Sequence, residues 1–144
     1  MSYELRDHTA DIAVAATGGS LEAVFAATAD GLTAASSEED TETHDGERFS
    51  ISVTAENPEA LLFDYLDQVI YLRDVRVELP VDHRVDRIET AAGDRNDQRW
   101  VLEASARGIP LSKIVARDVK AVTYSEMSLE QVEDGWEAYV VFDV

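Results

Sequence analysis

Only two stretches of this 144-residue chain repeat their apolar residues at helical spacing, and nearly every other apolar run alternates. A helix buries one stripe and a half-buried strand buries every second residue, so the mixture predicts an α+β domain of antiparallel strands with two main helices, spanning residues 1–144. The clearer helical stretch is NPEALLFDYLDQVIYLRD. Asn57 is suited to cap it, and Pro58 sits at the first position, where its missing N–H costs nothing. Leu61, Leu62, Tyr65, Leu66, Val69 and Ile70 make one broad stripe that faces the core. The other stretch, SLEAVFAATADGL, starts from Ser20 as cap and places Leu21, Val24, Phe25, Ala29 and Leu32 on one side.

Alternation marks the strands. RFSISVTAE (Arg48–Glu56) is one, and VRVELP, RVDRIETA and RWVLEASA between residues 75 and 106 are three more candidates. Gly93, Asp94 and Asn96 signal a turn. DVKAVTYSEMSL and WEAYVVFDV, separated by EQVEDG, predict an antiparallel hairpin. Thr33–Glu47 loses periodicity and fills with acids, which predicts an exposed loop in which His44, Glu38 and Glu39 are solvated.

Composition removes whole classes of chemistry. Without cysteine there is no thiolate nucleophile, disulfide or cysteine-zinc site, and nothing calls for an oxidising compartment. His8, His44 and His83 lie too far apart for helical ligand spacing, and no GxSxG elbow offers a serine nucleophile. TGGS at Thr17–Ser20 lacks the lysine of a phosphate loop and predicts a turn. No segment resembles a signal peptide or a bilayer span, so the expected location is cytoplasmic, away from membranes. With 30 acidic against 12 basic residues the formal net charge is −18, and such a field repels phosphate backbones, so direct nucleic-acid binding is not expected. Ten arginines against two lysines, Lys113 and Lys120, suit a surface hydrated in concentrated salt, which points to a halophilic source.

Two aspartates stand out. Asp143 interrupts the apolar run AYVVFDV, and Asp11 sits against Ile12, Ala13 and Val14 in DHTADIAVAA, where His8 and Thr9 are placed to shape a turn. If Asp143 is buried its carboxylate needs a partner, with Lys120, Arg117 or a cation as the candidates. Together with the Val144 carbonyl and terminal carboxylate, the two aspartates are hard oxygen donors of the kind that bind Ca²⁺ or Mg²⁺. Solvated strand ends or a salt bridge are the alternatives.

HTADIA, NPEALLFDYLDQVIYL, DVKAVTY and the closing FDV occur in this order, and together they resemble the archease family over nearly the whole chain. The chain has Ser125 where archeases usually follow VKAVTY with histidine, DHTAD where EHTAD is common, and little resemblance from Pro80 to Arg99. The resemblance implies a fold with helices sandwiched between sheets. It also implies a non-enzymatic protein cofactor of the GTP-dependent RNA-splicing ligase, which seals tRNA exons. Such a cofactor promotes ligase guanylylation and multiple turnover and can alter its nucleotide specificity. The alternative is a chaperone-like modulator of other RNA-modifying enzymes, such as a tRNA methyltransferase. The family's metal site transfers to Asp11, Asp143 and the Val144 main chain, with Ca²⁺ the expected ion and Mg²⁺ or Mn²⁺ as options. Its functional lysine transfers to Lys120. A small metal-dependent hydrolase is a third class, but no general acid or base for it can be named.

Overall fold

The computed structural model describes residues 2–8, 11–37, 41–92 and 98–144. Among these residues seven strands form two antiparallel sheets. β1 (Ser2–His8), β2 (Asp11–Gly18), β7 (Gly135–Asp143) and β6 (Ala121–Val132) lie side by side in that order in one sheet. β3 (Arg48–Ala55), β5 (Gln98–Pro110) and β4 (Glu78–Ala92) make the other. α1 (Leu21–Ser36) packs on β2 and β4, and α2 (Pro58–Arg76) on β6 and β3, so both helices lie between the sheets. That is the α+β sandwich the sequence predicts.

Packing density explains why the layers are close. Val14, Phe25, Leu61, Tyr65, Leu102 and Phe142 are all fully buried in one core shared by both sheets and both helices. Gly31 marks a close approach of α1 to the four-stranded sheet, since a Cβ there would lie 2.5 Å from Cγ1 of Val14. At TGGS, β2 ends on Gly18, and Ser20 caps α1 by accepting from the amide of Ala23. Asn57 caps α2 in the same way through Ala60. The predicted hairpin is present, with Val132 opposite Gly135.

Three expectations change. α1 runs on through Thr33–Ser36, because Thr33 and Ser36 are buried and hydrogen-bonded: the Thr33 hydroxyl donates to Pro80 O and the Ser36 hydroxyl to Leu32 O. Of the predicted exposed loop, Thr41–Thr43 form a short 3₁₀ turn, His44 is half-buried, and Glu38 and Glu39 lie outside the described residues, as do the Gly93–Asn96 turn and Thr9. VRVELP does not open a strand. Val75 and Arg76 complete α2, Val77 closes it in the left-handed conformation (φ 55°), and the strand starts at Glu78. The helix persists because Arg73 and Arg76 complement the negative end of its dipole. The candidates ELP and RVDRIETA are two parts of one strand, β4, bent at Asp82 (φ 49°) where its register with β5 slips. Among the described residues no helix is long and apolar enough to cross a membrane.

Candidate functional site

Strand alternation sets the direction of both aspartates. Ile12 and Phe142 are buried on the inner face of the four-stranded sheet, so their neighbours Asp11 and Asp143 project from the outer face. The same antiparallel register sets Asp11 directly opposite Asp143, in the two central strands. Side chains of such a pair start about 4.5–5.5 Å apart at Cβ, close enough for like charges to repel. Residues from opposite ends of the chain therefore meet. His8 stands beside Asp11 on β1 and Ala121 beside Asp143 on β6.

Asp143 is exposed rather than buried, so the premise that it needs a protein partner to offset burial does not hold. Among the described residues neither Lys120 nor Arg117 forms an ion pair with it. Lys120 is joined to it through the backbone instead: its amide donates to the Asp143 carbonyl at 2.8 Å, while its side chain is solvent-exposed. Val144 packs its side chain against the core, which holds the end of β7 down. Lys120, Asp11, Asp143 and the Val144 main chain thus share one end of the sheet.

The segment leading to Lys120 is held by both helices. The Arg117 amide donates to Ser36 O at 2.6 Å and the Ser37 hydroxyl to Val115 O at 3.0 Å, which ties it to the end of α1. Arg73 of α2, itself only 7% exposed, donates to Val119 O at 2.7 Å and to an Asp118 carboxylate oxygen at 3.1 Å. Arg73 belongs to none of the family motifs described above. Its signal was its place: Leu66, Val69, Ile70 and Arg73 continue one helical stripe, so an arginine there must be buried and must find acceptors.

A second polar group, also unforeseen, lies under the bend of β4. His83 is buried, and its Nε2 is 2.9 Å from the Thr33 hydroxyl. That hydroxyl already donates to Pro80 O, so Nε2 carries the proton and donates to Thr33. The His83 amide donates to Asp30 Oδ1 at 3.2 Å. Burial is the main cause of both shifts here, pushing the Asp30 carboxyl up to about 6 and the His83 imidazole down to about 4. Among the described residues no hydrogen bond or ion pair links this group to the aspartate pair. It is an interior anchor of α1 on β4.

Among the described residues no three His, Asp or Glu side chains converge on a metal-sized site. The aspartate pair offers two carboxylates, with the Val144 main chain beside them. The donor set is entirely hard oxygen and carries a like-charge pair, which fits a divalent cation of the calcium or magnesium type.

Comparison with known proteins covers almost the whole chain. The profile of the archease protein family matches residues 3–144. Protein archease of Methanosarcina acetivorans is 34% identical over 146 residues, covering 99% of this chain and 95% of that protein. The solution structure of Methanobacterium thermoautotrophicum protein 1598 superimposes with a TM-score of 0.79 at 26% identity, covering 99% of each chain. The crystal structure of an archease from Thermotoga maritima, described as a possible chaperone, shares the fold with a TM-score of 0.56 at 23% identity over 96% of this chain and 94% of that one. A match of this extent, over a fold that pairs Asp11 and Ile12 with Asp143 and Phe142, places this chain in the archease family.

Proposed function

We propose that this protein is a cytoplasmic activator of the tRNA-splicing RNA ligase, promoting its guanylylation and multiple turnover and altering its nucleotide specificity. The observation that carries the proposal is the direct opposition of Asp11 and Asp143 on the solvent face, in a chain of the archease family. Asp11, Asp143 and the Val144 main-chain oxygen would hold a divalent ion, Ca²⁺ for preference, with Mg²⁺ or Mn²⁺ as substitutes. When bound, such an ion supplies positive charge that offsets phosphate charge. Two carboxylates and a main-chain oxygen fall short of the roughly six to eight oxygens calcium takes, so the site is open to water or to groups of a partner.

The chain's own residues supply positioning. The sheet register holds Asp11 and Asp143 in a fixed pair, and Arg73 holds the segment that presents Lys120. The exposed Lys120 ammonium is placed to meet a phosphate or a ligase carboxylate beside that pair. Nucleotidyl transfer is limited by positioning and by neutralising phosphate charge, and these groups act on both. The second reading, a chaperone-like modulator of other RNA-modifying enzymes, draws on the Thermotoga archease being described as a possible chaperone.

The test is single-turnover guanylylation of the cognate ligase in high salt, with and without this protein and its Asp143→Ala variant. Acceleration by the wild type but not by the folded variant supports the activator and its site. No effect of the wild type on labelling or turnover refutes it and turns attention to other RNA-modifying partners.

A further inference from the structure

Tyr124 of β6 and Phe63 of α2 stack face to face, their ring centroids 4.1 Å apart and their planes within 8°. Parallel stacking covers one face of the tyrosine and leaves the other open, and Tyr124 is 56% exposed. The backbone explains how so large an apolar ring comes to the surface. Between Thr123 and Ser128 the β6–β7 register slips, and Glu126 takes a left-handed conformation (φ 63°), so the strand bulges away from β7 just where Tyr124 emerges. Held by a partner ring on another element, the ring is pre-organised.

Its surroundings are acidic. Glu59 and Asp67 flank Phe63 one helical turn to either side, Asp64 follows it and Glu56 precedes the helix, and all four are exposed. Partial burial and then the charges of Asp64, Glu56 and Glu59 push the Tyr124 phenol up, so these carboxylates act on the ring's own environment. Among the described residues none of the four is in an ion pair. An open aromatic face in a negative field attracts a cation, and the planar guanidinium is best suited because it stacks and donates to carboxylates at once. The chain makes this contact internally, with the Arg76 guanidinium 4.1 Å above the Phe49 ring.

We propose that Tyr124, backed by Phe63, receives an arginine of the protein partner, whose guanidinium lies on the open ring face and pairs with Asp64, Glu56 or Glu59. The proposal rests on the activator function above and deepens it by adding a second contact point. A nucleic-acid strand is repelled by these carboxylates, and a second copy of this chain, with net charge −18, carries too much of the same sign. Continuity with the aspartate pair favours a protein. Tyr124 lies on the strand that begins at Ala121 opposite Asp143, about 13 Å along from Lys120 at roughly 3.3 Å per residue; its ring is on the α2 side of that edge strand and the aspartates are on the other face, so a partner with an interface of about 800 Å² reaches both around the edge of β6.

The test is the dissociation constant of the full-length cognate ligase for the wild type, Tyr124→Ala and Tyr124→Phe, with thermal melts of each. The expected result is that Tyr124→Ala weakens binding about tenfold while Tyr124→Phe stays within about twofold. Equal binding by wild type and Tyr124→Ala, with Asp143→Ala still failing to activate, overturns this inference and leaves the proposed function standing. If the ligase does not bind the wild type, the proposed function falls and this inference with it. Should Tyr124→Ala misfold, the triple variant Glu56→Gln, Glu59→Gln, Asp64→Asn keeps the stack and removes the charge; unchanged binding by it overturns the arginine assignment.

Discussion

Arg73 on the last turn of α2 donates to the main-chain oxygen of Val119 at 2.7 Å, so the residue next to Lys120 is held by a helix rather than by a sheet. Val119 is itself fully buried, and its carbonyl has no water to turn to. Replacing Arg73 by methionine keeps the apolar stem and strands that oxygen, which costs about 1–3 kcal/mol. The expected outcome is a lower melting temperature together with a loss of ligase activation larger than the folded fraction explains. Equal activation per folded molecule would show that Lys120 needs no such support.

The aspartate pair predicts a sign reversal with metal. In metal-free protein, Asp11→Asn or Asp143→Asn removes a like-charge opposition worth about 0.2–1 kcal/mol, so each variant melts at the same temperature as the wild type or higher. Added Ca²⁺ raises the wild-type melting temperature by mass action and leaves the variants unchanged. Calorimetric melts with and without Ca²⁺ check both arms, and a Ca²⁺ response in the variants would move the ion elsewhere.

The Asp30–His83 group predicts an opposed pair of pH effects. Asp30 has its carboxyl raised from 3.8 to about 6, so the folded state holds a proton the unfolded chain has released, and its stabilising contribution is lost as pH rises through that window. His83 is lowered from 6.5 to about 4, so the unfolded chain holds the extra proton, and stability is lost as pH falls through that window. Between about pH 4 and 6 the two nearly cancel. Relative to wild type, Asp30→Asn therefore loses stability on acidification from pH 6 to 4, and His83→Gln gains it, with slopes approaching about 1.4 kcal/mol per pH unit. Urea titrations across that range decide it; parallel curves for all three proteins would contradict the assignment.

Net charge predicts salt dependence. Self-repulsion among 30 carboxylate side chains weakens as the Debye length falls from about 10 Å at 0.1 M to about 3 Å at 1 M salt. Melting temperature is expected to rise steadily with KCl over that range. A flat profile would mean that the acidic surface contributes little to stability and would remove the argument for a halophilic source.

Local sequence determined the elements, because caps, stripes and alternation act over a few residues. Asn57 and Pro58 start α2, the alternation of β7 turns Phe142 inward, and EQVEDG returns the chain on itself. The same short range explains the misses. Val75 and Val77 alternate like a strand, yet Val75 is helical and Val77 caps α2: the helix runs two residues past Asp74, with Arg73 and Arg76 at the negative end of its dipole. Arg73 and His83 became anchors only because α2 meets the Val119 segment and α1 meets the bend of β4. The site itself depended most on the tertiary structure. Each aspartate was visible as an anomaly, and the family motifs named both, but only the insertion of β7 between β2 and β6 sets Asp11 against Asp143. Register between strands distant in sequence is decided by which faces the whole sheet must bury, and one residue of slip would have turned one of the two inward.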